Sequence, residues 1–325
     1  MMNDKTAHNA DPSINAAPTA DIERPAGNIG EDALKTVAEA QPVSRSRLIF
    51  RRLFSSPRFW IGGSILAFMV LFALFGNVIN IYGPNDQDAF NLNKGPSAEH
   101  WFGTDTDGYD IYAQVVIGLR KSIIIGLAAG IIGTLIAAIM GSLAGYLGGK
   151  VEMAINWLIN FMLVLPSFFV LLLFAPALKG LSWVAIIIIV ALFAWMVTAQ
   201  VVKAQTKSLR NAEFVQAARY MGLGTPTILV RHIIPNISSL LIVDATLGVV
   251  GAVLAETSLS FFGLGVQSPD ISIGTLLSAG TSGAVTRPWV FLFPAAALVL
   301  LLTAVSVVAD ALRDAIDPTS GVNRG

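Results

Sequence analysis

Six stretches of the chain are almost unbroken runs of apolar residues, and polar residues collect between them. The runs cover about 59–81, 122–147, 151–178, 181–202, 237–262 and 289–309. Each reaches the roughly 20 residues that a helix needs to cross a bilayer's hydrocarbon core. Backbone polar groups must be satisfied internally in lipid, so runs of this length predict helices. The ten-residue alternation of a membrane β-barrel is absent from the pattern. The expected architecture is an all-α membrane protein with six transmembrane helices.

The polar intervals differ from one another. Residues 1–44 are rich in Ala, Asp, Pro, Asn and Thr without apolar periodicity, and are expected to be a disordered cytoplasmic tail. Residues 45–325 form the transmembrane domain, in which 82–121 make an outer loop and 203–236 a loop on the opposite face. Basic residues set the orientation. Thirteen Lys and Arg fall on the side of Arg45–Arg58, Lys150, Lys203–Arg231, Arg313 and Arg324, against five at Lys94, Arg120, Lys121, Lys179 and Arg287. The excess places the N and C termini in the cytoplasm. The first apolar run begins near Phe59, too late for a cleaved signal peptide.

Composition removes several chemistries. Of 325 residues, 54% are hydrophobic and 13% charged, and mean hydropathy is +0.68. Cysteine is absent, which excludes thiolate catalysis, disulfides and Cys-ligated metal. The three histidines, His8, His100 and His232, are widely separated in sequence. Net charge is zero and no basic block suits nucleic acid. The stretch 144–151, "AGYLGGKV", lacks both the first Gly and the final Ser/Thr of a phosphate-binding loop. The spacing of Asp105, Asp107, Gly108 and Asp110 does not fit a calcium loop. No cofactor or metal site is expected in this chain.

The second run contains the G-x-x-x-G pairs Gly126/Gly130 and Gly141/Gly145. Small residues at this spacing let helices approach closely, either inside one bundle or between subunits. Asp244 lies about seven residues into the fifth run and Glu256 near its far end. A charge at such depth costs roughly 2.5–3.5 kcal/mol on insertion scales, so each carboxylate marks either a transport pathway or a paired structural contact.

The polar segment before the fifth run reads "AEFVQAARYMGLGTPTILVRHIIPN", residues 212–236. Asn211 is expected to cap a short helix with Glu213 in its first turn. Phe214, Ala217, Ala218 and Met221 form an apolar stripe at helical spacing. Gly222 and Gly224 stop this helix. Thr225-Pro226 starts a second one, with Ile228, Leu229, His232 and Ile233 on its apolar side, and Pro235 ends it. The stripe, flanked by Arg219 and Arg231, is expected to dock a soluble partner, its Ala217-Ala218 centre permitting close approach. An interfacial helix lying on lipid is the other reading.

Gln216-Ala217-Ala218, Gly222 and Pro235, placed before the penultimate run, resemble the "EAA" loop of binding-protein-dependent ABC importer permeases. Gln216 stands where that motif has Glu. "HWFGTDTDGYDIYAQVVIGLRKS" (100–122), "GSLAGYLGGKVE" (141–152), "ETSLSFFGLG" (256–265) and "DALRDAIDP" (310–318) are similar to the C-type subunit of the dipeptide/oligopeptide/nickel branch. Tyr109 replaces an Arg of the branch pattern. The resemblance spans about residues 45–318. It implies the type I importer permease fold, a homologous permease as heterodimer partner, two ATPase subunits carrying ATP and Mg, and an extracytoplasmic substrate-binding protein. It also implies a peptide substrate and residence in a prokaryotic cell membrane. Glu213, Gln216, Ala217, Ala218, Arg219, Gly222 and Pro235 are then the residues expected to couple to the ATPase. A competing reading from a different class is an autonomous secondary transporter or channel using Asp244 and Glu256.

Overall fold

The computed structural model describes residues 45–167, 169–170, 172–173 and 183–316. These form helices and connecting loops. In chain order they are α1 (Arg45–Phe54), α2 (Pro57–Phe75), α3 (Ile111–Leu147), α4 (Gly149–Val164), α5 (Val184–Arg210), α6 (Glu213–Tyr220), α7 (Thr225–Ile228), α8 (Ile234–Phe261), α9 (Ile273–Thr281) and α10 (Pro288–Ile316). The expected tail at 1–44 lies outside the described residues, as do 174–182, which include the end of the expected third span and the start of the fourth.

Five helices among the described residues are long and apolar enough to cross a membrane: Pro57–Val78, Ile111–Leu147, Trp183–Arg210, Thr225–Phe261 and Pro288–Ile316. Most extend beyond the apolar runs that announce them. The second span starts at Ile111 rather than near Ser122, because Asp110 caps it by accepting from the Ala113 amide at 2.8 Å. The expected outer loop therefore ends at Asp110, and its expected last eleven residues, 111–121, are helix. Two cations in that stretch are occupied structurally. Arg120 donates to the Ala73 and Leu74 carbonyls at the end of α2, at 2.7 and 2.9 Å. Lys121 pairs with Asp270 at 2.7 Å and lies over the Trp183 ring. In the third run, α4 stops at Val164 with Leu165 extended, the conformation imposed on a residue preceding Pro166.

The α3 helix is the centre of the bundle. One face packs α2, α8, α9 and α10 around Met69, Ile111, Val115, Leu119, Val253 and Leu301. Another buries Ala137, Ala144, Ile155, Ile159 and Trp195 with α4 and α5. Its glycines set the spacing. A β-carbon on Gly130 would lie 2.8 Å from the Val249 amide nitrogen of α8, and one on Gly141 would lie 2.6 Å from the Ala199 carbonyl oxygen of α5. Gly126 also faces α8, and Gly145 faces α5. Both G-x-x-x-G pairs thus pack within the bundle of one chain.

Gly130→Ala should lower the thermal unfolding midpoint in detergent, with a cost of roughly 1–3 kcal/mol from overpacking against backbone. Gly251→Ala, at a position where an added β-carbon meets nothing within 4 Å, should leave the midpoint unchanged or raised.

Candidate functional site

The segment between α5 and α8 folds as a short protruding helix seated on the bundle. Ala212 is extended and serves as N-cap of α6 without a side-chain bond, while Asn211 is the C-cap of α5. The expected Asn211 cap is therefore shifted by one residue, because α5 continues to Arg210 and consumes Asn211 in its own end. The Asn211 carbonyl instead accepts from Gln216 Nε2 at 3.1 Å. At the other end the Leu223 amide donates to the Ala218 carbonyl at 3.2 Å and the Gly222 amide to the Arg219 carbonyl at 3.0 Å. This is the Schellman arrangement. It needs a left-handed residue at Gly222, where φ is +80°.

The faces of α6 differ from the expected stripe. Val215 and Ala218 are buried in a cluster with Ile228, Leu229 and Ile233, against Leu143 and Tyr146 of α3 and Leu209 of α5. Ala218 therefore anchors the helix to its own bundle and is unavailable to a partner. Phe214, Ala217, Tyr220 and Met221 point outward, with Tyr220 88% and Met221 72% exposed. Glu213, Gln216 and Arg219 are also exposed and surround that apolar face.

Pro235 does not end a helix. Thr225–Phe261 is one continuous helical path, with α7 and α8 joined through a π-helical turn at Leu229–Ile233. The Ile234 amide donates to Leu229 five residues back. Widening the turn absorbs the missing Pro235 amide without breaking the path. Ile228, Leu229 and Ile233 are buried as the sequence pattern requires, while His232 is only half-buried.

Asp244 and Glu256 both face α3. Asp244 accepts from Thr134 Oγ1 of α3 at 2.7 Å and from Thr198 Oγ1 of α5 at 2.6 Å. Thr134 lies thirteen residues from the Leu147 end of α3, about 20 Å at 1.5 Å per residue. Asp244 thus lies well inside its helical path, which starts at Thr225 rather than at the apolar run. Glu256 is fully buried and accepts from Ser260 Oγ at 2.6 Å and from Ser122 Oγ of α3 at 3.2 Å. Ser122 in turn accepts from the Ile273 amide at 3.2 Å, at the start of α9. Ser272 and Thr275 form a reciprocal capping box there. The helix α9 lies in the expected interval between the last two spans and was hidden by its shortness.

The loop over the Asp110 end of α3 carries a second polar cluster. Buried His100 has Nδ1 at 2.8 Å from Asp110 Oδ2 and Nε2 at 3.4 Å from Asp88 Oδ2. Tyr82 stacks on the imidazole, with ring centroids 4.3 Å apart. Asn80 donates to Asp110 at 3.1 Å. Asp105 accepts from the Asp107 and Tyr109 amides, each at 2.9 Å. Trp289 of α10 donates to the Thr104 carbonyl at 3.1 Å and fastens the loop to the bundle. Sequence spacing gave no sign of the His100 cluster, whose partners lie ten and twelve residues away through a loop. This loop and α6 sit at opposite ends of α3, whose 37 residues span about 55 Å.

Comparison with known proteins agrees with the loop signatures. Residues 133–321 match the family described as "Binding-protein-dependent transport system inner membrane component". Residues 44–96 match the "N-terminal TM domain of oligopeptide transport permease C". The oligopeptide transport system permease protein OppC of Mycobacterium bovis is 40% identical over 240 residues, 74% of this chain and 82% of the relative. A putative peptide permease of Brucella suis is 37% identical over 290 residues, covering 88% and 94%. OppC of Bacillus subtilis is 34% identical over 297 residues, covering 90% and 97%.

The Asn91 side-chain amide, together with the Phe90 amide, holds the Asp88 carboxyl below the usual carboxylate range. Burial pushes Asp105 upward. Stability from Asp88 is present above its unfolded value and lost as pH falls through the folded one; Asp105 acts in the opposite sense. Hydrogen exchange of residues 82–110, corrected for intrinsic rates, should therefore show an acid-dependent loss of protection that Asp88→Asn abolishes. The variant should already exchange faster at neutral pH.

Proposed function

The chain belongs to the family of binding-protein-dependent transport system inner membrane components, and from that premise we propose that it is the C-type permease subunit of an ATP-driven peptide importer. With a homologous permease it forms the translocation pathway for di- and oligopeptides delivered by an extracytoplasmic binding protein. Two separate ATPase subunits hold ATP and Mg and hydrolyse the nucleotide; this chain is not itself an enzyme. It resides in a prokaryotic cell membrane with six spans, the third of which includes α4, and with both termini in the cytoplasm.

One observation carries this reading: α6 has an inner face built into the bundle and an outer face that is apolar and exposed. A helix free on both faces would slide on a partner without moving the spans. Here Val215 and Ala218 tie α6 to the ends of α3 and α5, so displacement of the outer face is passed to two spans. ATP-driven approach of the ATPases shifts the population between inward-open and outward-open bundles, provided that the α6 contacts differ in the two states. At the other end of α3, the 82–110 loop presents Phe90 and Trp101 exposed and is the landing surface for the binding protein. Asp244 and Glu256 act as structural clasps. Their hydroxyl partners on neighbouring helices support that role over the ion sites of an autonomous transporter.

Gly222→Val tests the lever. No atom crowds the position, so the substitution strains only the turn, by about 1–3 kcal/mol. Membrane insertion should be unaffected. Peptide uptake per ATP hydrolysed, measured in vesicles holding the co-purified complex, should fall, by about tenfold where about 1.4 kcal/mol of that strain is felt in only one of the two states. Unchanged coupling would contradict the lever.

A further inference from the structure

At the foot of α2, α1 folds back along the end of α10. Ile49 and Leu53 pack on Ala311, Leu312 and Ala315. Phe50, Phe54 and Trp60 turn outward and are exposed. They form one aromatic group: Phe54 lies with its ring centroid 6.4 Å from Phe50, 5.3 Å from Phe59 and 5.9 Å from Trp60. Trp60 Nε1 donates to the Phe54 carbonyl at 2.9 Å and holds the group together.

Beside this group is an open groove of about 680 Å³ between α1, the start of α2 and the end of α10. Arg51, Arg52, Ser55, Ser56, Arg58 and Asp314 supply its polar lining. Among the described lining residues three guanidinium groups stand with one carboxylate, and Arg58 reaches Asp314 at 3.3 Å in an exposed pair. Exposed pairs of this kind contribute little and exchange readily. The described lining of the groove is basic on balance, beside a helix long and apolar enough to enter a bilayer. Aromatic side chains sit at headgroup level in membrane proteins, and basic residues next to them meet lipid phosphates. A guanidinium matches a phosphate through paired parallel hydrogen bonds.

We infer that the α1–α2–α10 groove binds the phosphate headgroup of an anionic phospholipid, with Phe50, Phe54 and Trp60 lying against its acyl chains. Charge complementarity selects the anion. The adjoining aromatic surface, continuous with span α2, selects a lipid over a soluble phosphate. The inference does not rest on the transport reading.

The full chain, purified in dodecyl maltoside with whatever subunits remain attached, would be titrated with dioleoyl-phosphatidylglycerol, with dioleoyl-phosphatidylcholine and with inorganic phosphate. Retention by native mass spectrometry and the thermal midpoint are read for each. Phosphatidylglycerol should be retained and raise the midpoint, phosphatidylcholine much less so, and inorganic phosphate should neither raise the midpoint nor displace the lipid. Arg51→Gln with Arg52→Gln should weaken phosphatidylglycerol binding roughly thirtyfold, about 1 kcal/mol for each arginine near an anionic surface. Arg51→Lys with Arg52→Lys should retain the preference. Equal retention of the two lipids overturns the proposal, as does full replacement by inorganic phosphate or an unaltered preference in a folded glutamine variant. Should that variant not fold, the comparison of lipids on the unaltered protein decides.

Discussion

Close approach of α3 to α5 and α8 is the constraint on which the other features depend. Lipid tails are as apolar as leucine, so helices in a bilayer gain little by merely burying apolar surface against one another. Packing at short range and hydrogen bonds between helices must hold them. Gly126 and Gly130 bring α3 against α8, and Gly141 and Gly145 bring it against α5. Two carboxylates of α8 clasp this seam, Asp244 on Thr134 and Glu256 on Ser122, twelve residues apart on both helices. Without the glycines the donors would stand too far off. Without the donors each carboxylate would carry an uncompensated desolvation cost.

The same seam fixes what lies at the ends of α3. Near Leu147, the α3 and α5 ends supply Leu143, Tyr146 and Leu209, the surface on which α6 is seated. At the opposite end, Asp110 caps α3 and also receives His100 and Asn80, so the 82–110 loop is built onto the helix start. A rigid rod therefore joins a partner-accessible knob at one end to a folded loop at the other. That arrangement suits a subunit that must connect events on two sides of a membrane.

Much of this was legible in the sequence, and the remainder was hidden for physical reasons. Hydropathy located the five described spans because lipid exposure demands apolar side chains, but it could not find their ends. Helix geometry continues through Ile111–Lys121, Lys203–Arg210 and Thr225–Asn236, where polar residues are tolerated outside the hydrocarbon. Ala217 and Ala218 share one apolar stripe, yet opposite sides of that stripe meet the bundle and the solvent. Periodicity gives a face, and only packing says what covers it. Pro235 predicts a stop because its amide is missing; the π-turn that accommodates it has no sequence signature. The Schellman end at Gly222 was readable, since only a left-handed residue closes α6 there. The His100 cluster depends on loop closure, which no local pattern encodes.

The central claim is that α6 presents one face to an ATPase and keeps the other on its own bundle. A photo-reactive amino acid placed in turn at Ala217 and at Ala218 tests it directly, with cross-linked products identified by mass spectrometry. The account predicts that position 217 captures a separate nucleotide-hydrolysing subunit, and that position 218 captures only residues of this chain, such as those around Leu143 and Ile228. Capture of that subunit from neither position, or equally from both, would contradict it.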